Sequence, residues 1–346
     1  MSNRWISSIA LAASLITIAD VGCGTGSTTP PVTSPLSQPA STAPVRLYIS
    51  DGGNPGTIKA YAWPRATLGV PLATVAGDNG PTGLAIDSVG NLYVSNRGGV
   101  SVQAFAHPVN NGSSPGFTLN FYTPPHCNGP PRDYSCGPNG QYVGDVAVDG
   151  AGDLALDQGY SWYSHHCIGG AGCFNLTYFS SLLLVYATPV SSSTSPHEIV
   201  LHCTRGFFPS CLNFGFGKLA FDPNGNLWAI RTDGHLDEYT PPFGSTTTPA
   251  LELSIAASDV KFDAAGNMYV STTNTVDVYR PPFSQTITKA FSINVASPGY
   301  LAFDAAGKLY VSSAGTTVLV FAPPFTGASM PVVTLPVDAA GLAIGR

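Results

Sequence analysis

Residues 300–325 read YLAFDAAGKLYVSSAGTTVLVFAPPF, and the chain repeats this stretch. Residues 259–283 read DVKFDAAGNMYVSTTNTVDVYRPPF, residues 218–243 KLAFDPNGNLWAIRTDGHLDEYTPPF, and residues 83–108 GLAIDSVGNLYVSNRGGVSVQAFAHP. A further copy begins at 145 as DVAVDGAGDLALD and ends at 182–189 as LLLVYATP. Asp222, Asp263 and Asp304 follow one another at 41 residues, and a fixed period of that size marks a repeat architecture. Within each copy, LAFD alternates as a buried strand does. Asp-x-x-Gly-Asn is a turn in which Gly supplies positive φ and Asp bonds its own backbone. LYVS is a β-branched and aromatic return strand. A third strand, VxVY or VLVF, stops at Pro-Pro-Phe because proline has no N–H to give a ladder. A weaker fourth strand follows each copy (PLATVAG, FTLNFY, HEIVLHC, ALELSIA, AFSINVA, PVVTLPV).

Four antiparallel strands every 40 or so residues predict an all-β fold, a β-propeller with four-stranded blades. The termini settle the blade number. One period after Asp304, residues 341–345 read GLAIG, a first strand with no return strand behind it; residues 46–50, RLYIS, match the return strand 308–312, KLYVS. One blade is therefore shared between the two ends, which removes the open edge of a linear array. The expectation is six blades.

The D-x-x-G-N-[LM]-[YW]-[VA] core, best kept at 87–94, 222–229 and 263–270, resembles the NHL repeat and the related gluconolactonase-like six-bladed propellers. The resemblance spans roughly residues 46–346 and implies fold more than activity. Gluconolactonase-like enzymes hold a divalent cation at the axis with a Glu among its ligands. The glutamates here are Glu198, Glu238 and Glu252, none of them at the start of a first strand. In that family's chemistry Asp145 and Asp259 would have to hold Ca or another divalent cation. Amidating-lyase-like propellers use axial histidines, and none precedes a first strand here. No Gly-x-Ser-x-Gly elbow or phosphate loop occurs.

Residues 1–22 read as a signal sequence, with Arg4 before an apolar stretch at 6–19 too short for a membrane span. Cys23 after a small residue resembles a bacterial lipoprotein cleavage site, although Asp20 stands where that pattern has an apolar residue. Residues 23–44 form a Ser/Thr/Pro-rich tether with nothing to bury, and 45–346 form the propeller. Charged residues are only 10% of the chain and the net charge is −6, so nucleic acid has no electrostatic footing. Of seven cysteines, six remain after Cys23. They fall as local pairs, expected as disulfides: Cys127 with Cys136, Cys167 with Cys173, and Cys203 with Cys211.

Blades 3 and 4 carry the insertions, at 110–144, 158–181 and 190–217. If strands run from the axis outward, all of these emerge on the face shared by fourth-to-first and second-to-third connections, where long loops carry function. The residues preceding the first strands are Gly83, Asp145, Lys218, Asp259, Tyr300 and Gly341. Hairpins between second and third strands add Asp51, Asn54, Arg97, Arg231, Asp233, His235 and Asn274, and the blade 3 insertion adds Trp162, His165 and His166. The ligand-binding candidates are Asp145, Lys218, Asp259, Tyr300, Arg231, His235, Trp162, His165 and His166. Asp145 and Asp259 can equally cap strands or pair with Lys218. The aspartates at 87, 149, 222, 263 and 304 are turn closers on the opposite face. The expectation is a monomeric extracytoplasmic binding scaffold on a bacterial envelope. Its partner is a small molecule, a glycan or an envelope protein, its only membrane contact is the lipid anchor, and it has no cofactor. The alternative is a cation-dependent hydrolase or lyase.

Overall fold

The computed structural model describes residues 45–345 apart from 66, 78, 121, 123–133, 169–171 and 201–215, with backbone alone at 134–141, 160–180 and 200. The leader, Cys23, the tether, Cys127, Cys203 and Cys211 lie outside the described residues. Blade 1 contains β1 (Arg46–Ser50), β2 (Thr57–Ala62) and β3 (Ala73–Ala76). Blade 2 is β4 (Pro81–Ile86), β5 (Leu92–Asn96), β6 (Ser101–Phe105) and β7 (Phe117–Asn120). Blade 3 is β8 (Tyr134–Val148), β9 (Leu154–Ile168), β10 (Gly172–Tyr186) and β11 (His197–Val200). Blade 4 is β12 (Phe216–Phe221), β13 (Leu227–Arg231), β14 (Leu236–Tyr239) and β15 (Leu251–Leu253). Blade 5 is β16 (Asp259–Phe262), β17 (Met268–Ser271), β18 (Thr275–Tyr279) and β19 (Lys289–Asn294). Blade 6 is β20 (Pro298–Phe303), β21 (Leu309–Ser313), β22 (Thr317–Phe321) and β23 (Val333–Leu335), and β24 (Gly341–Gly345) ends the chain.

All six sheets are four-stranded and antiparallel, and β24 is the inner strand of blade 1. It pairs with β1, Arg46 facing Gly345 and Ser50 facing Gly341, so the ring closes across the termini as the repeat demands. The inner strands β24, β4, β8, β12, β16 and β20 adjoin one another around the axis. Apolar packing lies between blades, because each sheet buries both faces against its neighbours. Between blades 4 and 5, the Trp228 ring meets Phe262 and Phe283 at centroid distances of 5.5 and 5.4 Å. Between blades 5 and 6, Tyr269 meets Phe303 and Phe325 at 4.9 and 5.7 Å. The Phe of Pro-Pro-Phe thus completes an aromatic trio with the first strand of its own blade and the second strand of the blade before.

The turn aspartates do what the repeat implies. Asp304 Oδ1 accepts the N–H groups of Ala306 and Lys308 at 2.9 and 2.8 Å, while Asp222 and Asp263 repeat the pattern and also take the side-chain amides of Asn226 and Asn267 at 2.9 and 2.8 Å. Gly225, Gly266 and Gly307 sit at φ of 82°, 79° and 75°, where a Cβ is strained.

One expectation needs correction. The 158–181 insertion is not a loop between strands. It is strand, with β9 and β10 paired without a break from Leu154 opposite Tyr186 to Ile168 opposite Gly172. The end of the 110–144 insertion joins them as the first part of β8, Tyr134 facing Ser164. At 15 residues each, these strands run about 50 Å, against about 17 Å for the five-residue strands elsewhere. The physical reason lies in composition: 159–168 and 172–181 hold Tyr160, Trp162, Tyr163, Phe174, Thr177, Tyr178 and Phe179, side chains that favour a pleated ladder over a turn.

Candidate functional site

The side chains along the axis are mostly apolar. A channel of about 250 Å³ runs between the inner strands, lined by Leu84, Val146, Leu219, Leu301 and Leu342, with Lys261 its one charged lining residue among those described. Toward the beginnings of the inner strands lies a cavity of about 960 Å³, built from Thr82, Gly144, Asp145, Lys218 and Tyr300 of those strands and from Arg97, Arg231 and Thr273 of the second-to-third connections. This is the face that chain direction picks out for the site.

Asp145 and Lys218 meet on its wall. The Lys218 Nζ lies 3.0 Å from Asp145 Oδ1 and 4.2 Å from the Tyr300 ring centroid. The other oxygen of Asp145 accepts the Leu219 N–H at 3.0 Å, which ties blade 3 to blade 4. Burial works against the charge of Lys218, but Asp145, Tyr300 and Asp259 outweigh it and hold its pKa above the usual lysine value. Asp259 is placed beneath the wall and is 2% exposed. Its Oδ2 accepts the Leu301 N–H at 2.7 Å and its Oδ1 lies 3.3 Å from Lys261; burial raises its pKa. Asp145 and Asp259 therefore cap the inner strand of a following blade and pair with lysines at once.

Of the other sequence candidates, Arg231 reaches the cavity, but its guanidinium is shared among Asp233, Asp237 and Glu252. His235 sits with Asp233, Nδ1 to Oδ1 at 3.2 Å. Trp162, His165 and His166 lie in the extended part of β9, opposite Tyr178, Asn175 and Phe174; their side chains are outside the described residues. Cys167 and Cys173 face one another across the same hairpin. Cys136 faces Trp162, and its expected partner Cys127 is outside the described residues.

The residue that the sequence reading passed over is Asp157. In four blades the second strand carries a serine at this level: Ser50, Ser95, Ser271 and Ser312. Ser95 Oγ accepts the Gly83 N–H at 2.8 Å and donates to the Gly144 carbonyl of the next blade at 2.6 Å, and Ser271 makes the same donation to Gly299 at 2.7 Å. Blade 3 replaces that serine with Asp157. One carboxylate oxygen accepts the Asp145 N–H; the other is buried without a hydrogen-bond partner. Room for it comes from Gly144, where a Cβ would lie 2.3 Å from Oδ2, and Gly159 likewise makes way for the Tyr142 ring. Burial pushes the Asp157 pKa well above the carboxylate range. Lining up the second strands of the repeats would have found it.

A divalent cation does not suit this donor set. Asp145 and Asp259 each face an ammonium at 3.0 and 3.3 Å, and among the described residues no three His, Cys, Asp or Glu side chains converge as metal ligands.

No protein-family description matches the sequence, and no curated protein does. Solved structures do match. A Bacteroides caccae protein of unknown function is 10% identical at a TM-score of 0.55, covering 88% of this chain and all of its own. The Pseudomonas aeruginosa periplasmic gluconolactonase is 14% identical at 0.53, covering 87% of this chain and 85% of its own. A Lactobacillus plantarum protein is 17% identical at 0.53, with the same coverages. Identities this low speak for architecture alone, and in architecture the chain is similar to these proteins, as a six-bladed β-propeller.

Proposed function

We propose that the chain is an extracytoplasmic binding protein that takes a small polar molecule into the cavity at the mouth of its propeller. The observation that carries this reading is where the ring departs from its own repeat. At the level of Gly83 and Gly341, blades 3 and 4 carry Asp145 and Lys218; at the level of Ser95, blade 3 carries Asp157. At the first level the six blades carry Gly only twice, so the repeat leaves it free to vary; at the second level four blades carry Ser, and repetition alone would place Ser at 157. A buried acid with an unpartnered oxygen costs stability, and such costs concentrate where a site is built. Asp145, Lys218 and Asp157 line one cavity of the size that small ligands occupy. Among the described residues no catalytic constellation accompanies them, and binding is the reading that those residues support.

The test is a thermal-shift screen of small polar compounds on the full chain and on Gly217→Leu. A Cβ at Gly217, on the cavity wall, would meet only the Ile230 carbonyl, at 3.7 Å, so a larger side chain enters the cavity without displacing the fold. Compounds that stabilise the parent should lose their effect on the variant. Stabilisation that survives Gly217→Leu would place binding elsewhere and sink the proposal.

A further inference from the structure

We infer that the ligand of the mouth cavity is a small organic anion, its carboxylate or phosphate oxygens held by Arg97 and its body against the rings of Tyr142 and Tyr300. This rests on the reading of the cavity as a ligand site.

The argument is one of unmatched charge. Among the described residues, three cations line the cavity, Arg97, Lys218 and Arg231, against two acids, Asp145 and Asp157. Lys218 is matched by Asp145 at 3.0 Å. Arg231 is matched by Asp233, Asp237 and Glu252, none of which lines the cavity. Asp157 is 0% exposed and so offers no oxygen to an incoming molecule. Arg97 remains. It is exposed, and among the described residues no carboxylate lies within ion-pairing distance of it. This is unusual company in a chain with 20 acidic residues against 14 Lys and Arg.

Arg97 is also held ready. Its Cζ lies 5.8 Å from the centroid of the Tyr142 ring, a cation–π contact near the outer limit of its range, which biases the guanidinium without taking up its N–H donors. Its backbone N–H donates to Gly80 at 2.9 Å, and the next N–H to Asn79 at 2.8 Å, so the hairpin carrying it is tied to the segment before β4. Donors fixed in advance lose little entropy on binding. The carboxylates on the wall do not compete for those donors. Both oxygens of Asp145 are engaged, by Lys218 and by the Leu219 N–H. An oxyanion needs no acceptor from the wall, and the donors of Arg97 are what it would meet.

The test is a ligand-observed NMR titration of the full chain with benzoate, with its uncharged amide benzamide and with inorganic phosphate, repeated on Arg97→Gln, Arg97→Lys and Gly217→Leu. The expected result is saturable benzoate binding at least tenfold tighter than benzamide. That preference should disappear in Arg97→Gln, be partly kept in Arg97→Lys, and be lost with all binding in Gly217→Leu. Phosphate that competes with benzoate and loses affinity in Arg97→Gln assigns the same oxyanion pole without the ring. If benzoate and benzamide bind alike and both are blocked by Gly217→Leu, the cavity stands as a ligand site and the anion inference falls. Benzoate affinity unchanged in Arg97→Gln overturns the inference equally. If none of the three probes binds, or Gly217→Leu changes nothing, the inference and the reading beneath it both fail.

Discussion

Asp157 is a serine position taken over by a carboxylic acid. The serines bridge two neighbouring inner strands, accepting from one and donating to the next. Asp157 accepts the Asp145 N–H with one oxygen and makes no bond to the next blade with the other. Asp157→Ser should restore the repeat and raise stability at neutral pH by about 1 kcal/mol or more, read as a higher melting temperature, while weakening any ligand of the cavity. A variant less stable than the parent would show that Asp157 supports the ring and is not spent on the site. A second buried acid, Asp237, has one oxygen without a partner and a pKa pushed up to about 6 by burial. The folded chain therefore holds this proton more tightly than the unfolded chain does. Its penalty is absent below about pH 4, grows as pH rises and is complete above about pH 6, at about 3 kcal/mol. Asp237→Asn should flatten the fall in melting temperature between pH 4 and 6.5; an unchanged profile assigns that slope to other groups. Neither acid stood out when the residues were read one by one, because burial is a property of the fold. The turn aspartates were legible, since their role is local: Asp304 bonds N–H groups two and four residues on.

Among the elements, the short blades followed from the sequence almost strand for strand, because each strand ends at a Gly turn or at Pro-Pro-Phe. The 15-residue strands of blade 3 did not. Residues 158–168 read QGYSWYSHHCI, with neither the period-two alternation of a half-buried strand nor an internal turn signal, and an irregular aromatic run between two repeat strands looks like a loop. Register now gives the cysteine pairing a geometric footing. Cys167 and Cys173 are directly opposed in an antiparallel ladder, where Cα atoms stand about 4.5–5.5 Å apart, within the span that a disulfide bridges. Non-reducing peptide mapping of the protein purified under oxidising conditions should recover these two cysteines in one linked peptide. Free thiols at both, or a link from either to Cys136, would refute the pairing.

For the molecule as a whole, the shared blade was legible from arithmetic, since one period beyond Asp304 lands on β24. Removing 341–346 takes away an inner strand with Leu342 and Ala343, 4% and 6% exposed, and leaves β1 without its partner on the axis side. The full chain so shortened should lose at least about 3 kcal/mol of stability or fail to fold; a melting curve like that of the parent would refute closure by β24. Location belongs to this scale too. Cys23→Ser should move the protein from the membrane fraction to the soluble one, and an unchanged distribution removes the lipid anchor while leaving export open.

Ring closure also has a clock. β1 holds one half of the pairing and β24 the other, with roughly 300 residues of synthesis between them. At about 5–20 residues per second, the ribosome takes on the order of 15–60 seconds to deliver the second half after the first. Through that interval the inner edge of residues 46–50 is a row of unpaired backbone groups, a template for any passing strand. Blades 2 to 6 have every strand they need before that row is covered. Translation speed, and not the folding of any one blade, sets the earliest moment at which a ring exists.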